Sequence, residues 1–188
     1  MKLPKNLYKL ATVDVSSLEK ELNKLTPEQW VEWDLRQNRY VIHQLTETYP
    51  LMFSEYGEPP TLYNQNTPLW HVTQPLVSSI ELLYGKKPAA ILFAKLKAGA
   101  SIPRHKDGGW FVKTHRLHIP IITDPRVIFS IGDDTYHLEK GVVYEFNNMN
   151  MHGVTNPTNI DRVHLMIDLF NGLKPTTFDY DNIEVKQL

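Results

Sequence analysis

The sequence predicts a mainly β protein with additional helices, folded as a sandwich or jelly roll, and three observations support this. From Pro88 onward, short runs rich in β-branched and aromatic residues alternate with turn residues. Eight such runs match the strand number of a jelly roll. The preceding residues show helical periodicity with capping signals instead. The length of 188 residues is enough for one domain with its own core.

The strand candidates lie between turn residues such as Asp-Gly-Gly, Gly-Asp-Asp and Glu-Lys-Gly. In chain order they are AAILFAKLKA, SIPRHKD, KTHRLHIPII, RVIFSI, DTYHLE, VVYEFN, MHGVTN and DRVHLMIDLF. We therefore expect a single domain over residues 1–188. It divides into a helical and loop N-terminal part at 1–87, a β core at 88–170 and a C-terminal extension at 171–188.

Three helices are predicted in the N-terminal part. The first covers SLEKELNKL, and the second, PEQWVEWDLRQN, begins at a capping box formed by Thr26 and Gln29. The third starts near Thr73 and ends at Gly85. Between them, SEYGEPPTLYNQNTPLW predicts a long ordered loop that either packs on the core or forms one wall of a site.

Charge and cysteine content exclude several classes of protein. Lys and Arg number 20 against 21 Asp and Glu, so no basic surface for nucleic acid or for a membrane is expected. The absence of cysteine excludes disulfides, thiolate metal sites and a cysteine nucleophile. The N-terminus has no apolar run typical of a signal peptide, so the default expectation is a cytoplasmic protein.

A candidate metal site begins in RHKDGGW. In a strand, residues two apart point to the same face, so His105 and Asp107 project together and can chelate a metal. His137 and Glu139 have the same spacing, but charged neighbours indicate that His137 faces solvent. Neither pair is specific alone, so a third ligand has to distinguish them.

His152 is the candidate for that third ligand. In a jelly roll the second and seventh strands run side by side, and His152 lies on the seventh while His105 and Asp107 end the second. Two histidines and one carboxylate form the facial triad typical of non-haem Fe(II) oxygenases. The alternative is that His152 is a hydrogen-bonded histidine in a turn.

Two arginines share faces with other polar residues on predicted strands. Arg116 lies on the same face as His118, and Arg162 on the same face as His164 and Asp168. An arginine inside a β-barrel is costly unless an anion meets it, and its guanidinium fits a carboxylate. The pair suggests a dicarboxylate cosubstrate, unless each arginine instead pairs with a structural Asp or Glu.

These segments, HKD, HRLHIP and MHGVTNPTNIDRVHLMIDLF, resemble the aspartyl/asparaginyl β-hydroxylase family over roughly residues 88–170. The resemblance implies a cupin-like double-stranded β-helix and a dioxygenase that uses Fe(II) and 2-oxoglutarate. It implies that His105 and His152 bind iron and that Arg162 holds the distal carboxylate of 2-oxoglutarate. Arg116 and His118 would also contact 2-oxoglutarate.

Members of the family differ at the position of Asp107, and the carboxylate present here favours a complete triad. The implied reaction hydroxylates an aspartyl/asparaginyl-type or free amino-acid substrate, a small molecule or a peptide, consuming O2 and releasing succinate and CO2. Two alternatives remain: a cupin-like metal enzyme that does not use 2-oxoglutarate, and a non-catalytic ligand-binding domain. His164, Trp110, Asn147 and Asn156 are further candidates for contacts with substrate.

Overall fold

The computed structural model describes residues 3–55, 58–170 and 186–187, which form two facing β-sheets with helices on one side. The strands are β1 (Leu7–Thr12), β2 (Thr46–Phe53), β3 (Thr61–Leu62), β4 (Pro88–Leu96), β5 (Ser101–His105), β6 (Thr114–Ile122), β7 (Ile128–Ile131), β8 (Asp134–Tyr136), β9 (Val142–Phe146), β10 (His152–Thr155), β11 (Arg162–Phe170) and β12 (Lys186–Gln187). The helices are α1 (Ser16–Leu22), α2 (Pro27–Val31), α3 (Leu35–Arg39) and α4 (Pro68–Tyr84), with 3-10 turns at Val41–His43 and Gly109–Lys113.

The larger sheet has the strand order β12-β1-β9-β6-β11-β4-β2-β3, and the smaller has the order β5-β10-β7-β8. Strands β4 to β11 are the eight strands predicted from the sequence, and they pair in the antiparallel pattern of a jelly roll. The predicted adjacency of the second and seventh core strands is confirmed, because β5 pairs directly with β10.

The N-terminal part differs from its prediction as helix and loop, because it also supplies β1, β2 and β3 to the larger sheet. Strand β2 pairs with β4 and contains Pro50, which weakens its strand signal in the sequence. Helix α4 begins after the cap Thr67, earlier than predicted, because Pro75 is accommodated inside it. The second predicted helix is divided into α2 and α3, although its capping box at Thr26 is present.

Two apolar clusters show which face of the larger sheet is covered by the helices and which is directed towards the smaller sheet. One cluster lies between the sheet and the helices and includes Leu51, Ile80 and Leu165. The other lies between the two sheets and includes Phe129 and Phe146. The helices thus cover one face, and the second face is directed towards the smaller sheet.

Strand β11 shows how alternation divides the side chains between these faces. Its odd-numbered residues from Val163 to Leu169 join the cluster under the helices. The even-numbered ones, such as Arg162 and Met166, line cavities on the opposite face, as the sequence pattern predicted. The last eighteen residues, predicted as an extension, lie outside the described residues except for β12. No helix in the described part of the chain is both long and apolar enough to span a membrane.

Candidate metal centre and adjoining cavities

His105, Asp107 and His152 converge at one point between β5 and β10. His105 is the last residue of β5 and faces His152, the first residue of β10, as its register partner. One ligand atom from each of the three residues lies within 4.8 Å of the other two. The Asp107 Oδ1 atom is 3.8 Å from His105 Nε2 and 3.9 Å from His152 Nε2. Ligands about 2.0–2.2 Å from a metal ion lie roughly 3–4 Å from one another, so these spacings fit a shared ion.

Backbone carbonyls orient both histidine rings. His105 Nδ1 lies 2.8 Å from the Pro103 oxygen and His152 Nδ1 lies 2.9 Å from the Asn150 oxygen. Each Nδ1 must donate its proton to that oxygen, which leaves each Nε2 as a free lone pair directed at Asp107. Burial lowers the pKa of His152 to about 4, although Asp107 opposes this, so the ring is neutral at pH 7. Neutral imidazole is the form that binds metals.

Two glycines permit this arrangement. A Cβ atom on Gly153 would lie 2.9 Å from the Ile102 carbonyl oxygen, so only glycine allows β10 to approach β5 this closely. Gly109 has a φ of 61°, in the left-handed region, where the chain turns away after Asp107. The glycine-rich turn predicted behind the ligand pair is therefore present.

Arg116 holds Asp107 from the side opposite the histidines. Its Nη1 atom donates to Asp107 Oδ2 at 2.5 Å, while Nε and Nη2 donate to the two oxygens of Asp168 at 2.8 and 3.0 Å. Burial opposes ionisation, but Asp107 and Asp168 together hold the pKa of Arg116 above its usual value. Asp107 is thus fixed with Oδ1 directed towards the histidines. The alternative of a structural carboxylate partner applies to Arg116, and its contact with 2-oxoglutarate stays a prediction.

Arg162 is buried without such a partner. Its side chain is only 3% exposed, and its Nε and Nη1 atoms have no hydrogen-bond partner among the described residues. The neighbouring Asp161 accepts a hydrogen bond from the Ala98 backbone instead. Burial, with a contribution from Arg36, lowers the pKa of Arg162 to about 9. The two arginines therefore differ: Arg116 is paired with Asp107 and Asp168, whereas Arg162 has no such carboxylate partner among the described residues.

His118 and His164 form a buried pair near Arg162. Their Nδ1 atoms are 3.2 Å apart, and both Nε2 atoms are buried with no partner among the described residues. Burial and the charge of Arg162 hold both pKa values well below the usual value, so both rings are neutral. One Nδ1 must donate to the other, which leaves one Nε2 as a donor and the other as an acceptor.

Two cavities meet at the three candidate ligands. The smaller, about 50 Å³, contains His118, Arg162 and His152 in its lining, together with Phe129 and Phe146. The larger, about 300 Å³, is lined by the segment from Leu35 to His43 and by the strands of the opposite wall. His105, Asp107 and Arg116 line both, so the candidate metal position separates two compartments of different composition.

The structure also places the remaining histidines and the other residues predicted to contact substrate. Asn156 donates to the Lys97 and Ile160 carbonyls and Asn147 donates to the Leu3 carbonyl, so the prediction that these two contact substrate is not supported. His164 lines neither cavity. His115 faces the helix side, where its Nδ1 atom hydrogen-bonds with Glu145, which also accepts a hydrogen bond from Tyr84. His137 is not in the cluster of potential ligands, and the side chain of Trp110 lies outside the described residues.

Sequence reasoning missed the contribution of the N-terminal part. Arg36 on α3 and His43 in the following 3-10 turn line both cavities. The His43 ring is 6.2 Å from the His105 ring, centroid to centroid. The only local signal was the predicted helix through WDLRQN, which does not indicate where that helix packs.

The geometry defines a double-stranded β-helix of the cupin-like class with a His-Asp-His cluster that can hold a metal ion. The sequence pattern of the family described as Aspartyl/Asparaginyl beta-hydroxylase matches residues 14–171. The chain therefore belongs to the aspartyl/asparaginyl β-hydroxylase family, and the predicted resemblance is confirmed. The match also covers the N-terminal helices, beyond the segment that carried the resemblance. Membership indicates an oxygenase-type hydroxylase.

Solved structures are similar in fold. An oxidoreductase of the 2OG-Fe(II) oxygenase family from Burkholderia pseudomallei is 12% identical with a TM-score of 0.54, over 71% of each chain. A cupin domain from Bordetella pertussis is 20% identical with a TM-score of 0.35, over 43% of this chain and 79% of that one. No curated protein sequence matches the chain. At these identities the first similarity shows the fold alone, and it confirms the predicted fold class.

Proposed function

We propose that the protein is an Fe(II)- and 2-oxoglutarate-dependent hydroxylase of a small molecule or short peptide. One observation carries the proposal: Arg162, whose buried Nε and Nη1 atoms have no partner among the described residues, lines the same small cavity as His105, Asp107 and His152. A metal alone would not explain an unpaired buried guanidinium. A metal-bound dicarboxylate explains both features, because it can be held by the ion at one end and by the arginine at the other.

The donor set fits iron. Two neutral imidazoles and one carboxylate, with no thiolate, are the ligands of the non-haem Fe(II) triad, and they leave three coordination positions open. His105 and His152 would bind through Nε2 and Asp107 through Oδ1. When bound, the iron and 2-oxoglutarate would supply O2 activation and hydroxylation of a C–H bond, releasing succinate and CO2.

The other residues would orient the metal ligands and the cosubstrate and exclude water. Arg116 keeps the Asp107 carboxylate directed at the metal position and neutralises its second oxygen. Arg162 and the neutral His118 receive the cosubstrate in the smaller cavity, where Phe129 and Phe146 exclude water. The larger cavity, on the other side of the ligands, has the volume of a small-molecule site and would take the substrate.

The first test is anaerobic titration of 2-oxoglutarate into the Fe(II)-loaded protein, monitored by the weak visible charge-transfer band of the chelate. The band should vanish in His105→Ala, which removes a ligand, and weaken in Arg162→Gln, which keeps the metal site. Chelation of the metal should abolish it in the wild type. A protein that binds metal but gives no band would instead be a cupin-like metal enzyme that does not use 2-oxoglutarate.

A non-catalytic ligand-binding domain is the other alternative. This alternative predicts that the bound metal does not activate O2. Consumption of 2-oxoglutarate with release of succinate, even slowly and without an identified substrate, would contradict that alternative. Because the three candidate ligands are all present and oriented by hydrogen bonds, we expect this slow turnover.

A further inference from the structure

A third arginine of the cavity lining, the half-buried Arg36, lies where the two cavities meet. It belongs to α3, in the N-terminal part of the chain, and lines both the smaller and the larger cavity. None of the motifs that identify the metal centre includes it. It shares the lining of both cavities with Asp107 and Arg116, next to the candidate metal position.

The hydrogen bonding of Arg36 is incomplete. Its Nη2 atom is 3.2 Å from His43 Nε2, while its Nη1 atom is buried and has no partner among the described residues. A guanidinium has five N–H donors and no acceptor, and leaving buried donors unsatisfied is costly. Burial and the nearby charge of Arg116 lower its pKa to about 10, so the side chain is a cation at neutral pH.

Asp107 and Asp168 attract the charge of Arg36, but neither carboxylate forms a hydrogen bond with it. Asp107 and Asp168 are both bound by Arg116, and Glu55 is 3.4 Å from Arg39. These are the acidic residues that line the larger cavity. Arg36 is therefore a half-buried cation with a buried Nη1 atom, for which the described lining offers no free carboxylate.

The remainder of the larger cavity is mostly apolar. The apolar side chains in its lining are Leu35, Ile42, Phe53, Leu92, Phe111 and Met166. Several of these pack in one cluster with Trp33 and Tyr63. A volume of about 300 Å³ is at the lower end of the range for small-molecule sites. The cavity thus combines apolar walls with a cation, Arg36, that has no carboxylate partner among the described residues.

We propose that Arg36 binds a carboxylate of the substrate, and that the substrate is a small carboxylic acid with an apolar body. This inference rests on the proposed function, in which Arg162 holds the cosubstrate and the larger cavity holds the substrate. The carboxylate completes the hydrogen bonding of Nη1, and the apolar body lies against Phe53, Leu92 and Met166. Arg36 is therefore a specificity-determining residue supplied by the N-terminal helices.

The test compares acids with their uncharged amides. Isobutyrate, isovalerate and phenylacetate, each with its carboxamide, are titrated into protein loaded with Zn(II) and 2-oxoglutarate, and binding is measured by ligand-observed NMR. We expect at least one acid to bind more tightly than its amide. Arg36→Gln should weaken acid binding by about 10-fold or more and leave amide binding unchanged. Arg36→Lys, which keeps the charge, should recover part of the difference.

Arg39→Gln is the matched control, because Arg39 lies on the same helix and lines the same cavity but is exposed. It should change acid binding by less than about 2-fold. Equal losses in both variants would overturn the inference, since they would indicate general attraction by positive charge. Acids and amides that bind alike, or acids that do not bind, would also overturn it.

The Fe(II)–2-oxoglutarate band separates this inference from the proposed function. The band should be present in the wild type and retained in Arg36→Gln. No band in the wild type would refute the proposed function itself. A normal band without preference for acids would refute only the role of Arg36. Loss of the band in Arg36→Gln would assign Arg36 to the cosubstrate and overturn its role in substrate binding.

Discussion

Replacing Arg162 with methionine should make the metal-free protein more stable while removing its response to 2-oxoglutarate. Arg162 is a buried cation whose Nε and Nη1 atoms have no partner in the described part of the chain. Methionine keeps much of the apolar stem and is flexible enough to fill the site. The substitution also removes the positive charge, which we expect not to stabilise the metal-free protein.

The size of the effect follows from the pKa of Arg162, which burial lowers from 12.5 to about 9. One pKa unit corresponds to about 1.4 kcal/mol, so the protonated side chain costs roughly 4–5 kcal/mol more in the folded than in the unfolded state. Lost contacts and imperfect packing offset part of this. We expect a net gain of about 1–3 kcal/mol in the free energy of unfolding, or roughly 2–10 °C in Tm.

The pH dependence has a definite sign. Because the pKa of Arg162 is lower in the folded state, the cost of its charge is fully present below about pH 9. As pH rises above that value, the folded protein releases the proton first and the wild type gains stability relative to the variant. The difference between the two should therefore be about 1.4 kcal/mol smaller at pH 10 than at pH 7.

Urea unfolding of the metal-free proteins at both pH values measures this difference. With metal and 2-oxoglutarate at 100 times its Kd, the wild type should gain about 2.7 kcal/mol and the variant should not respond to 2-oxoglutarate. Arg126→Met, at an exposed arginine paired with Asp124, should leave the midpoint unchanged. A metal-free Arg162→Met protein less stable than the wild type would refute the reasoning, because it would show that the guanidinium has a stabilising partner.

Three further changes separate the metal centre from the rest of the fold. Arg116→Gln should weaken Mn(II) binding by about 10–100-fold in calorimetric titration, because Asp107 loses the donor that orients it; unchanged affinity would contradict that role. Gly153→Ala should push β10 from β5, destabilise the protein by about 1–3 kcal/mol and weaken Mn(II) binding; an unaffected site would show that the close approach is not required. Tyr84→Phe removes a donor to buried Glu145 and should destabilise by about 1–2 kcal/mol in urea unfolding without changing Mn(II) affinity, and a loss of affinity would link the two faces of the sheet.

The convergence of the three candidate ligands could be predicted from the sequence because their geometry is largely local. The spacing of His105 and Asp107 places both on one face, and the strand order of a jelly roll brings His152 beside them. Only the orientation of the rings depends on contacts that the spacing does not show. The eight core strands were predictable for the same reason, since alternation and turn residues mark each one.

The roles of the two arginines could not be separated from the sequence. Arg116 and Arg162 both lie on the inward face of their strands, and Asp168 was a possible partner for either. The register between β6 and β11 determines which arginine pairs with Asp168, because it places Asp168 directly opposite Arg116. Register is a property of two strands together, and no pattern within one strand determines it.

The N-terminal strands and Arg36 escaped prediction for a related reason. Strand β2 contains a proline, and it is recognised as a strand by its pairing with β4. Arg36 sits in a short polar helix without a clear apolar stripe, so its sequence does not show which side faces the protein. Its partial burial comes from the cavity that it lines together with residues of β4 and β11, which are far away in the chain.

The outer wall of the larger cavity is a short stretch of chain, Leu35–His43, that contributes no metal ligand and no strand. Under the proposed function, metal coordination and substrate admission would thereby be encoded in separate parts of the gene. Mutations in that stretch can change which compounds enter while the inherited chemistry is left intact. Divergence among related proteins should accordingly concentrate there, and directed evolution towards a new substrate would begin with those nine codons.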